Sequence, residues 1–161
     1  LVGIRTGMRI GEILGLRRED IDRQGKQLHV AQAVYRGLIG SPKTKSSIRA
    51  VPLIGISLFA ARRLVESAKD ANSEWLVPRY AKYHGSNSCS AAMNKYLSDL
   101  QFRSHMFRHA LIDRMKACND IPTRLAESIT GHYSGGSAFN TYGTVGYTLE
   151  QKLEVLKKIE I

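Results

Sequence analysis

Four short segments of this 161-residue sequence carry side chains whose types and spacing could do chemistry. In TGMRIGEILGLRREDID, residues 6–22, Arg9 and Glu12 stand three apart, which on a helix puts them on one face. PKTKSSIRAVPL, residues 42–53, holds Lys43 and Lys45; HMFRH, residues 105–109, holds His105, Arg108 and His109; GHYSGGSAFNTYG, residues 131–143, holds His132, Tyr133 and Tyr142. Arginine presents a planar fork of donors that suits two oxygens of a phosphate, and it stays charged without help from a metal. A tyrosine is a poor nucleophile at neutral pH, where only about one in 10³ is ionised, unless nearby cations favour the phenolate. Such a set could bind a phosphodiester and attack it.

Each segment also has an ordinary reading. Arg9 beside Glu12 is a common helix ion pair, and Lys43 and Lys45 would solubilise a loop in most proteins. His105 and His109 have the i, i+4 spacing of a zincin, but position 106 is Met where protease chemistry requires Glu, so no metal is expected and His109 reads as a packing or supporting residue. Tyr133 and Tyr147 compete with Tyr142 as nucleophile.

The elements that would position these groups follow from patterning. Residues 7–18 read as a helix capped by Thr6, and 28–35 with 47–53 as the strands of a β-hairpin whose loop carries Lys43 and Lys45. An amphipathic helix over 56–68 offers Leu58, Phe59, Leu64 and Val65 to the core. Ser88 could cap a helix over 89–100 with Met93, Tyr96, Leu97 and Leu100 on its apolar face, and Ser104 another over 105–117. Ile121-Pro122-Thr123 opens a further helix that Gly131 ends, and Leu149, Leu153, Leu156 and Ile159 form a terminal helical stripe. Cys89 and Cys118 read as core, and Trp75 as a core or strand residue. The expected fold class is α+β, mostly helical with one small antiparallel β-sheet.

Composition narrows the partner. A hydrophobic fraction of 43% with no apolar run of membrane-spanning length argues against disorder and against a membrane span. Two distant cysteines with no finger spacing argue against a disulfide framework or structural zinc, and fit a reducing cytosol. The net charge of +10 points to a polyanion. Between Asp22 and Glu66 there is no acid, while Arg23, Lys26, Arg36, Lys43, Lys45, Arg49, Arg62 and Arg63 supply eight cations. A second acid-free stretch from Glu74 to Asp99 interleaves Arg79, Lys82 and Lys95 with Tyr80, Tyr83 and Tyr96. The apolar opening Leu1-Val2-Gly3-Ile4, without Met, reads as a fragment whose missing part lies N-terminal.

Taken in order, the four motifs resemble the catalytic domain of the tyrosine recombinase, or phage integrase, family, from about Thr6 to Tyr142. The resemblance implies the catalytic set Arg9, Lys43 (with Lys45 as competitor), His105, Arg108, His132 and the nucleophile Tyr142, supported by Glu12 and His109. It implies that the two arginines hold the phosphate, that the lysine protonates the leaving 5′ oxygen and that a 3′-phosphotyrosine conserves the bond energy. Arg36, Lys45, Arg49, Arg62 and Arg63 are expected to face DNA. The implied activity is site-specific recombination, for integration or excision of a phage or mobile element. A type IB topoisomerase or a decayed, DNA-binding prophage remnant is the alternative. No cofactor, metal, membrane or small-molecule substrate is implied. The expected partners are double-stranded DNA and further copies in a tetramer, in a bacterial or phage-encoded cytoplasmic protein. The whole chain is expected to be one catalytic domain lacking an upstream core-binding domain, with 147–161 a terminal helix that can exchange between protomers.

Overall fold

The computed structural model describes residues 1–35, 38–40, 47–132 and 146–159, with Tyr35 described in its backbone only. In chain order the elements are α1 (Val2–Thr6), α2 (Ile10–Leu14), β1 (Gln27–Val30), β2 (Ala33–Tyr35), β3 (Leu38–Gly40), β4 (Arg49–Pro52), α3 (Gly55–Asp70), α4 (Gly85–Tyr96), α5 (Met106–Ala117), α6 (Thr123–Thr130) and α7 (Leu149–Lys158). The class is as expected, helices with small antiparallel sheets.

The single hairpin is corrected to two strand pairs. β1 pairs with β4 in the register Gln27↔Pro52 to Val30↔Arg49, while β2 turns away to pair with β3. The apolar stretch 28–35 is thus split between two partners. Leu28, Val30 and Val51 are fully buried between the first pair and the helices.

The helix expected over 7–18 is shorter, α2 alone (Ile10–Leu14), and a separate helix α1 (Val2–Thr6) precedes it. Gly7 takes the left-handed conformation, φ 60°, and closes α1. A Cβ at Gly7 would stand 2.9 Å from Leu111 Cδ2 and 3.1 Å from Thr130 Cγ2, so glycine lets this break sit against α5 and α6. Thr6 is the last residue of α1; its hydroxyl donates to Val2 O and accepts from the Met8 N–H at 3.4 Å, and the next helix is capped at Arg9 instead.

α4 begins earlier than expected, after His84, with Ser88 already inside it; α5 starts after His105 and makes no cap bond to Ser104. One main core gathers Val2, Leu16, Leu28, Leu76, Leu111, Met115, Ile129 and Leu156, and a smaller one Leu14, Val34 and Cys89. Phe59, Tyr96 and Leu100, expected in the core, are exposed: Phe59 and Tyr96 lie outside the narrow stripes that α3 and α4 bury, and Leu100 lies beyond α4, which ends at Tyr96, in a short 3-10 turn (Ser98–Leu100). Cys118 and Trp75 are half-buried, Trp75 with the Arg17 guanidinium 4.6 Å over its ring. α7 packs against α6 and β4. Leu156 and Ile159 are buried, whereas Leu149 and Leu153 are half-buried.

Candidate active site

The end of α6 organises the site. A helix leaves its last carbonyls without internal donors and with partial negative charge, so cations gather there. Three successive carbonyls each accept from a different arginine: Ile129 O from Arg49 Nε at 2.7 Å, Thr130 O from Arg108 Nη1 at 2.6 Å, and Gly131 O from Arg9 Nη1 at 3.4 Å. Gly131 closes α6 at φ 65°, and a Cβ there would lie 2.5 Å from Arg49 Nη1. Glycine is required both by the backbone and by the arginine against it.

Arg9 is not on a helix as expected; it is the extended N-cap of α2, at φ −70° and ψ 150°. Its backbone N–H donates to Glu12 Oε2 at 2.9 Å and its Nη1 to Glu12 Oε1 at 3.1 Å. The pair is therefore placed by capping geometry. Glu12 is buried and also accepts from Arg49, Nη2 to Oε2 at 3.0 Å and Nη1 to Oε1 at 3.3 Å. Burial alone would raise the Glu12 pKa, but the charge and hydrogen bonds of Arg49, with those of Arg9, outweigh it and hold the carboxyl below its usual range. The Arg9 side chain remains 44% exposed.

Arg108, from α5, is buried. Its Nη1 donates to Gly7 O as well as Thr130 O, and its Nη2 is buried without a partner among the described residues. Burial, then the charge of Arg9, lower its pKa to about 10, with Glu12 acting the other way. It stays a cation at neutral pH. A buried donor left unused costs folding free energy that a bound anion would offset. His105, the exposed N-cap residue just before α5, has its ring 4.6 Å from that of His109, edge to face. Burial, followed by the charges of His109, Arg108 and Arg9, lowers the His105 pKa and favours the neutral imidazole. Arg9, His105 and Arg108 share the wall of a cavity of about 670 Å³, the rest of which is mostly apolar.

The structure thus brings together Arg9, Glu12, His105 and Arg108, with His132 exposed directly after Gly131. Lys43, Lys45, Tyr133, Tyr142 and Arg36 lie outside the described residues. Arg62 and Arg63 are exposed on α3, and Arg63 reaches the same cavity. His109 is exposed, so the packing reading does not hold for it.

Arg49 is a correction. Expected to face DNA, it is buried with only 3% of its side chain accessible, because β4 turns it inward onto Glu12 and α6. Counting cations in an acid-free run hides a partner 37 residues upstream. Lys152 was also missed: α7 buries it with Nζ donating to Ala50 O at 2.9 Å, and burial, then Arg49, lower its pKa. A lysine inside an apolar helical stripe gave no signal beyond ordinary snorkelling. Among the described residues no group of three or more His, Cys, Asp or Glu is placed to hold a metal, and no helix is long and apolar enough to cross a membrane.

Comparisons with known proteins bear on the fold and the family. A tyrosine recombinase XerC-like protein of Caldanaerobacter subterraneus is 38% identical over 66 residues, covering 33% of this chain and 17% of that protein. The transposase from transposon Tn916 of Enterococcus faecalis is 25% identical over 181 aligned positions, covering 99% of this chain and 44% of that protein. The chain therefore spans less than half the length of these curated relatives. Among solved structures, the Tn1549 transposon integrase in complex with a circular intermediate DNA matches with a TM-score of 0.64 at 18% identity, over 99% of this chain and 57% of that one. The same integrase in complex with transposon right end DNA matches with a TM-score of 0.62 at 20% identity. These likenesses show the fold. The family model described as the Phage integrase family matches residues 1–148, and the chain belongs to that family.

Proposed function

We propose that this chain is the catalytic domain of a site-specific DNA recombinase, an integrase that cuts and rejoins strands through a covalent 3′-phosphotyrosine on Tyr142. The observation that carries the reading is the arginine arrangement at the end of α6: Arg108 is buried with an unused Nη2, and Arg9 is half-exposed beside it. Family membership supports the reading, and so do relatives named as a transposase and as an integrase bound to DNA.

In this reading Arg9 and Arg108 hold the non-bridging oxygens of one phosphate and stabilise the charge that develops on the phosphorane. His105, kept neutral by its surroundings, takes up the Tyr142 proton, and His132 hydrogen-bonds a phosphate oxygen. The Tyr142 oxygen attacks phosphorus, the P–O5′ bond breaks, and Lys43 (or Lys45) protonates the departing oxygen. A 5′-hydroxyl of another strand then reverses the step. No cofactor is needed. The partner is double-stranded DNA, with Lys45, Arg62 and Arg63 among the contacts, and the substrate context is a phage or mobile element in the cytoplasm of a bacterium. The working assembly is a tetramer in which the 147–161 helix exchanges between protomers.

The test is a duplex selected from a random pool by binding to the wild-type protein, then nicked so that cleavage traps the adduct. A covalent adduct lost in Tyr142→Phe supports the recombinase reading. Relaxation of supercoiled plasmid without strand exchange would replace it with a topoisomerase, and binding without any adduct would leave a DNA-binding remnant. Neutralising about five phosphates should make log K fall with log salt at a slope of roughly −4 to −5.

A further inference from the structure

Among the described residues, Arg49 lies against both partners that bond Arg9, Glu12 and Gly131. Glu12 has two oxygens, and each accepts from both arginines: Oε1 from Arg9 Nη1 and Arg49 Nη1, Oε2 from the Arg9 backbone N–H and Arg49 Nη2. The second Arg9 acceptor is Gly131 O, on the residue against which the Arg49 guanidinium lies. Arg49 further donates through Nε to Ile129 O at 2.7 Å and through Nη1 to Ser47 O at 2.8 Å. One buried guanidinium therefore joins the start of β4, the first turn of α2 and the end of α6.

We propose that Arg49 is a positioning residue for Arg9, dividing the pull of the Glu12 carboxylate so that the Arg9 guanidinium stays available to a phosphate. A buried carboxylate with Arg9 as its only partner would draw that guanidinium into a two-bond, charge-assisted pair. With Arg49 taking both oxygens from the inner side, Arg9 keeps a single side-chain bond to Glu12 and a half-exposed side chain. Every nitrogen of the inner arginine already bonds within the fold, and only 3% of its side chain is accessible, so it is poorly placed to serve the substrate. A lysine could not replace it, because a single ammonium cannot reach Glu12, Ile129 and Ser47 together.

The inference rests on the phosphate-transfer reading of this site, and the test separates the two. Inorganic phosphate is titrated into the protein while the side-chain N–H signals of Arg9 and Arg108 are followed by NMR, with no cleavage required. In wild type both arginines respond. In Arg49→Met the Arg9 response should weaken about ten-fold in apparent affinity while the protein remains folded, and adding Glu12→Gln should restore it, because the competing carboxylate is gone. Arg49→Lys, which keeps a charge beside Glu12, should fall between and serves if Arg49→Met does not fold. An unchanged Arg9 response in Arg49→Met or Arg49→Lys, or a loss that Glu12→Gln does not relieve, overturns the proposal; a merely structural Arg49 would lower the melting temperature and leave the phosphate response of the folded protein alone. Failure of the adduct assay with a normal phosphate response would count against recombination only.

Discussion

Two arginines at the end of α6 are equally buried and used differently. Arg49, on the β4 side, has a carboxylate and two backbone carbonyls for its donors, whereas Arg108, on the α5 side, bonds two carbonyls and leaves Nη2 without a partner. Burial of a charge is expensive in both cases. On the β4 side Glu12 offsets the cost within the fold; on the α5 side one guanidinium nitrogen has no partner among the described residues, and in the proposed function a phosphate supplies it. Under the proposed function, satisfaction of the donors separates the cation that holds the scaffold from the one kept for an anion, where burial and charge count do not.

The comparison can be broken most forcefully by removing each arginine in turn. Arg49→Met leaves Glu12 buried with only Arg9 beside it, and should cost about 3–5 kcal/mol of stability in denaturant melts. A loss under about 1 kcal/mol would mean the pair is not what holds β4 to α2 and α6. Arg108→Met should show the opposite profile. It should cost about 2–4 kcal/mol of transition-state stabilisation in single-turnover adduct formation, the scale of one preorganised donor, while stability changes by no more than about 1 kcal/mol. Equal losses of stability for the two variants would erase the distinction.

Acid sharpens the β4 side. The folded-state pKa of Glu12 lies below its ordinary value of 4.5, so the stability it contributes is complete above about pH 4.5 and is lost as pH falls through the lower folded value. Glu12→Gln should flatten that part of an acid-unfolding profile; a profile that keeps its shape would place the acid sensitivity elsewhere. The smallest effect is expected on the α5 side. His109→Ala removes a cation from beside His105 and should raise the His105 NMR titration midpoint while leaving it below 6.5, since burial and the two arginines still oppose protonation. A lower midpoint in the variant would reverse the assigned sign.

The sequence was most informative where chemistry is written into spacing. HMFRH and the glycine before His132 located Arg108, His105 and the end of α6, Ile121-Pro122-Thr123 located its start, and the apolar periodicity located α3 and the terminal helix. What patterning could not show is competition between partners. Nothing in residues 28–35 says that the first half would pair with β4 and the second with β3. Thr6-Gly7 reads equally as the start of a helix or the end of one, and Gly7 at positive φ, set against Leu111 and Thr130, decides for the end. Arg49 was read from its neighbours in sequence, all cationic or neutral, while its burial is set by Glu12, which precedes that run. The exposed faces of α3 and α4 were misread for a related reason: Phe59 and Tyr96 are apolar, but apolar residues are common on protein surfaces, and Leu100 falls in a turn beyond the end of α4.

The central claim is that Arg9 and Arg108, at the end of α6, present a DNA phosphate to Tyr142. Its most direct measurement is mass spectrometry of the adduct trapped on a nicked duplex. The account predicts DNA linked to Tyr142, at a rate that falls in Arg9→Ala and Arg108→Ala and falls less than additively in the double variant, because both hold one phosphate. DNA linked to Tyr133 or Tyr147, or strictly additive losses, would contradict it.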